Sequence, residues 1–141
     1  MKSYDQKQEY LKKIFSACTT PEETYKRIIS WGKELPPIES QYAREAHRIR
    51  GCQSTLYLKA TYDATTNTMH FGAQSDALIT RGLSYLLIYL YDGEPPKTLF
   101  THPPTLLTEL QIPALLSPNR ASGLQSLWQA MQKAAAKQIN T

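Results

Sequence analysis

Cysteine is scarce in this sequence. Its 141 residues include only Cys18 and Cys52, too few for the stapled framework of a small secreted domain. In a reducing compartment both are expected as free thiols. No C-x-x-C pair occurs, and His47, His70 and His102 are scattered, so the spacing of a zinc site is missing and no metal is expected. Long apolar runs are missing too. The longest, LSYLLIYLY at 83–91, is far short of the ~20 residues that cross a bilayer, and it reads as a buried helix. The first residues, MKSYDQKQEYLKKIF, lack the apolar centre of a secretory leader. There is no internal repeat, low-complexity segment or linker. A single domain over 1–141, cytoplasmic and independent of membranes, is the expectation.

Acidic charge is also in short supply. Sixteen Lys and Arg face twelve Asp and Glu, a net charge of +4. The bases are spread along the chain except for one cluster, Arg44, His47, Arg48 and Arg50. No RNA-type aromatic motif or DNA-reading helix pair accompanies them, so nucleic acid is not expected as a partner. Hydrophobic residues make up 41% of the chain, enough at this length for a core without covalent staples.

The periodicity divides into helices and a small sheet. Leu11, Ile14, Phe15 and Cys18 share one face of a first helix. In TTPEE, Thr20 is an N-cap, Pro21 the first helical residue and Glu23 the far side of a capping box. Tyr25, Ile28 and Ile29 are the expected inner face of this second helix, which Pro36 and Pro37 cannot continue. STLYLKATYD alternates as a strand, ATTN turns, and TMHFG returns. A third short strand is expected around 46–50. Ser75 is read as the cap of a central helix reaching about Tyr91, where Asp92-Gly93 ends it. A short helix is read at 105–110. Ser117 and Pro118 open the last helix, with Leu124, Leu127, Trp128 and Met131 inward. The fold class is α+β: an antiparallel sheet of about three strands packed against several helices.

Cys52 stands apart from this pattern. Cys18 continues a helical apolar face, as buried cysteines commonly do. Cys52 follows Gly51 where a loop meets a strand, among polar residues. Gly51 allows a tight turn, and nearby arginines favour the thiolate. A protease-like nucleophile would need a base and an oxyanion segment. A redox sensor would need Cys18 to leave its packed face. A simple acceptor thiol asks for less than either.

Four segments carry a family resemblance. WGKELPPI at 31–38, IRGCQSTLYL at 49–58, FGAQSDALITRGLSYLL at 71–87 and LLSPNRASGLQSL at 115–127 resemble, in order, the characteristic stretches of the SufE family. These are the sulfur-acceptor proteins of SufS-type cysteine desulfurases, with a SufE/IscU-like fold. The resemblance implies that Cys52 carries a persulfide and that Gly51, Gln53 and Ser54 shape its loop. It implies that Asp76 and Arg120 support that loop, with Arg44, His47, Arg48 and Arg50 available for docking or thiolate tuning. His47 stands where relatives often have Asn, and Tyr57 where they often have Trp.

The same resemblance implies no cofactor on this chain, with pyridoxal phosphate (PLP) held by the partner desulfurase. Sulfur would pass downstream to a SufBCD-type scaffold, or to another pathway as in CsdE-like acceptors. A homodimer is a further implication. A cluster scaffold is the alternative of a different class, although clusters usually take several cysteine ligands. The Cys52 loop is expected to lie against the sheet at rest and to swing outward on docking.

Overall fold

A computed structural model of the chain describes residues 2–139. Helix α1 runs over Tyr4–Ser16 and opens with a reciprocal capping box. The Gln6 backbone N–H donates to Ser3 Oγ at 3.2 Å, and the Ser3 N–H donates to Gln6 Oε1 at 2.9 Å. Its buried face is Tyr4, Lys7, Leu11 and Phe15. The helix is shorter than its apolar spacing implies. Ile14 is only half-buried, and Cys18 lies beyond the helix, half-buried against the core.

Helix α2 spans Pro21–Gly32, capped by Thr20 Oγ1 accepting from the Glu23 N–H at 3.1 Å. The Glu23 carboxylate also accepts the Thr19 N–H at 2.6 Å. Ile28 is fully buried, but Tyr25 is 37% exposed and does not belong to the inner face.

Strands β1 (Leu56–Asp63) and β2 (Thr68–Ser75) pair antiparallel, from Leu56 opposite Ser75 to Asp63 opposite Thr68. Alternation puts Leu56 and Leu58 on the buried face with Met69, Phe71 and Ala73. The expected third strand is reduced to one bridge, Arg48 opposite Tyr57. A tight helical turn at Glu45–His47 precedes it, and Gly51 at φ +82° turns the chain away after it. Too few extended residues remain between them to form a ladder.

Helix α3 covers Leu78–Tyr91 and is the centre of the core, burying Leu83, Leu86, Leu87, Leu90 and Tyr91. Ser75, expected as its cap, instead ends β2, and its hydroxyl accepts the Ala77 N–H at 3.2 Å. Helices α2 and α3 cross in near-contact, because a Cβ on Gly82 would collide with the Ile28 carbonyl oxygen. The Lys7 ammonium bonds the Asp92 carbonyl at 3.0 Å and the Glu94 carboxylate at 2.9 Å, tying α1 to the end of α3. Short helices α4 (Thr98–Thr101) and α5 (Thr105–Glu109) lead to α6, Pro118–Ile139. Leu127, Trp128 and Met131 of α6 are buried, and Leu124 is partly buried, as the periodicity implied. No described helix is long and apolar enough to cross a membrane.

Candidate functional site at the Cys52 loop

The loop between the Arg48 bridge and β1 lies on helix α6, and its start is tied to β1 by the Ile49 N–H donating to the Leu56 carbonyl at 2.8 Å. Gly51 holds φ +82°, a left-handed conformation that side-chain-bearing residues rarely adopt. It also packs closely: a Cβ there would fall 2.7 Å from Ser126 Oγ. One residue on, the half-buried Cys52 rests over Gly123. A Cβ on Gly123 would come 2.9 Å from Cys52 Sγ, so the thiol occupies space that only glycine leaves open. Gln53 is exposed and Ser54 is buried.

Arg120, one helical turn before Gly123, clamps this loop. Its Nη1 donates to Ser54 Oγ and, at 2.9 Å, to Thr80 Oγ1 on α3. Ser54 and Thr80 are both buried, so the guanidinium supplies hydrogen bonds that water cannot. The Asp76 carboxylate holds the start of β1, with Oδ1 accepting the Thr55 N–H at 3.1 Å. Arg81 Nε donates to the Ser75 carbonyl at 2.7 Å. Beside these residues opens a cleft of about 520 Å³, lined by Pro36, Pro37, Thr55, Tyr57, Asp76 and Arg81 among others.

The basic cluster is less free than its sequence suggests. Glu45 takes Arg50 at 2.8 Å and Arg48 at 3.6 Å. Arg44 makes no ion pair among the described residues. The His47 ring lies against Tyr42, with centroids 5.2 Å apart. The neutralising Glu45 stands within AREAHRIR itself, outnumbered there by the cations. Sequence reasoning also misses Thr80, Gly123 and Ser126. A threonine inside an apolar helix and a glycine inside a helical pattern are the available signals. Among the described residues, no three His, Cys, Asp or Glu side chains gather as metal ligands.

Residues 9–135 match the model of the family described as SufE: Fe-S metabolism associated domain. The chain belongs to this family. It is 34% identical over 132 residues to the sulfur acceptor protein CsdE of Escherichia coli (strain K12), covering 93% of this chain and 88% of that protein. It is 31% identical to SufE-like protein 1, chloroplastic/mitochondrial, of Arabidopsis thaliana, covering 87% of this chain but only 33% of the longer plant protein. The solution structure of a hypothetical protein from Thermus thermophilus shares the fold, with a TM-score of 0.77 at 17% identity, covering 96% of this chain and 97% of that one. The SufE-family α+β fold is thus present here with a two-stranded sheet.

Proposed function

We propose that this chain is a sulfur acceptor for a cysteine desulfurase of the SufS type, with Cys52 as the carrier. The observation that supports it most is the placement of Cys52: a thiol on a glycine-turned loop, seated in a glycine notch and clamped by Arg120, within a SufE-family chain. The desulfurase, with its own PLP, would present a cysteine persulfide. The Cys52 thiolate attacks the outer sulfur. A new S–S bond forms at Cys52, the old one breaks, and the desulfurase thiolate leaves with the electron pair. No net oxidation occurs, so no further oxidant or reductant is needed.

The supporting residues have distinct roles in this reading. Gly51 makes the turn, and the exposed Gln53 meets the partner. Ser54, Asp76 and Arg120 hold the resting loop. Since Cys52 Sγ faces Gly123, in-line attack requires the loop to leave α6 and swing outward on docking. Arg44, the cation of the cluster without an ion pair among the described residues, leads the docking contact, with His47, Arg48 and Arg50 beside it. The reading includes a reducing, cytoplasmic setting, a SufBCD-type recipient and a homodimer. The match to CsdE over most of its length supports a second destination, a CsdE-like pathway with the same chemistry at Cys52.

The test is mass spectrometry after incubation with desulfurase, PLP and L-cysteine. One added sulfur is expected on the peptide containing Cys52. Cys52→Ser should drop loading to background while still associating with the desulfurase. Sulfur on Cys18, or normal loading of Cys52→Ser, would overturn the assignment.

A further inference from the structure

Helix α6 contains no Asp or Glu from Pro118 to Ile139. Lys133 and Lys137 stand four residues apart on it, both exposed. Among the described residues neither has an ion-pair partner. Like charges at this spacing repel one another, so the pair is poised for an external anion.

Both lysines border a groove of about 460 Å³, which His47 and Arg48 also line, Arg48 being paired with Glu45 at 3.6 Å. No acidic residue lines it. Two other clefts carry both signs: Asp76 with Arg81 in the cleft beside β1, and Glu39 and Asp92 with Lys59 in a third. The lining is also apolar in part, through Leu58, Ala130 and Ala134. Cations beside a largely apolar floor, which also includes Tyr62, suit a segment with carboxylates on one face and apolar side chains on the other.

The position of the groove ties it to the thiol. Gly123 meets Cys52, Ser126 meets Gly51, and Ala130, Lys133, Ala134 and Lys137 continue along the same helix. At the α-helical rise, Gly123 to Lys137 spans roughly 21 Å. A segment seated here would bring its parent protein to the Cys52 loop.

We propose that this groove docks an acidic, amphipathic segment of a protein that exchanges sulfur with Cys52. The identity of the partner rests on the sulfur-transfer reading; the binding chemistry rests on the groove alone. The probe is a synthetic helical peptide of about 14 residues, matched to that span at the helical rise, with glutamates on one face and leucines on the other. A control peptide carries lysine in place of each glutamate. Titration of the isotopically labelled full chain, followed by NMR, should show saturable binding with shifts at Ala60, Ala130 and Ala134. Lys133→Glu combined with Lys137→Glu should weaken binding at least ~10-fold, as should raising salt from low to high concentration. Both lysines are exposed, and far-UV circular dichroism verifies that the variant is folded. The proposal is overturned by no saturable binding, by equal binding of the lysine peptide, or by undiminished binding to the charge-reversed variant. Tighter binding of a single-stranded oligonucleotide at the same amides also overturns it, in favour of a nucleic-acid surface. No desulfurase enters this titration, so its failure is distinguishable from a failure of Cys52 to load sulfur.

Discussion

Arg120 shows at the scale of one residue how the thiol is restrained. Its guanidinium spans Ser54 in the loop and Thr80 in α3, two buried hydroxyls on separate elements. A hydrogen bond to a charged group contributes about 1.5–3 kcal/mol. Arg120→Ala is therefore expected to destabilise the chain by about that amount and to raise the iodoacetamide alkylation rate of Cys52 several-fold. Arg120→Lys should rescue it incompletely, because an ammonium lacks the planar fork that reaches two partners. An alkylation rate that stays at the wild-type value in Arg120→Ala would show that the clamp does not restrain the loop. Cys52 stands out in the sequence, and Arg120 only through the family resemblance. Thr80 does not, since its hydroxyl has meaning only once α3 and α6 face each other.

Among the elements, α6 does most to position the site. Its first turn carries the clamp, its second the notch under Cys52, and its later turns a cationic edge. Gly123→Ala separates packing from helix propensity. Alanine favours a helix over glycine by about 1 kcal/mol, while overpacking a tight contact costs about 1–3 kcal/mol. The two should nearly offset, leaving stability within about 2 kcal/mol of wild type in urea unfolding. The new methyl would still lie 2.9 Å from Cys52 Sγ, so the loop should lift and Cys52 should alkylate faster. Unaltered alkylation would mean that the notch does not seat the thiol. The helices are largely legible because their apolar spacing and the Thr20 and Ser117 caps are local signals. The elements that differ from expectation depend on neighbours. Ser75 is claimed by β2 through its register with Leu56, and the 46–50 segment has only one residue bridged to β1.

For the molecule as a whole, buried phenols contribute to the pH dependence on the alkaline side. Burial pushes the Tyr91 pKa well above the usual tyrosine range, and its hydrogen bond with Tyr4 adds to this. Burial also raises Tyr4. In the unfolded chain both would titrate near ~10. Their contribution to stability is thus fully present below about pH 10 and is lost as pH rises beyond it toward the folded values. The urea midpoint should fall above that pH. Tyr91→Phe loses the bond to the His102 carbonyl, observed at 2.5 Å, and should be about 1 kcal/mol less stable at neutral pH. Its decline at high pH should nevertheless be shallower. Parallel declines in the two proteins would remove Tyr91 as the cause.

Local information determined most of the individual parts of this protein. Apolar spacing, turn residues and caps specify the long helices and the hairpin, and the glycine before Cys52 specifies a turn. They do so because each signal acts within a few residues of chain. Tertiary structure alone decided where those parts meet. It laid the Cys52 loop on α6, because Gly123 leaves room for the sulfur and Ser126 receives Gly51. It paired Arg48 and Arg50 with Glu45, and it set Lys133 and Lys137 around one groove with His47 and Arg48. The contacts of Gly123 with Cys52 and of Ser126 with Gly51 join residues more than about seventy positions apart, so their energies depend on the packed geometry of the folded chain.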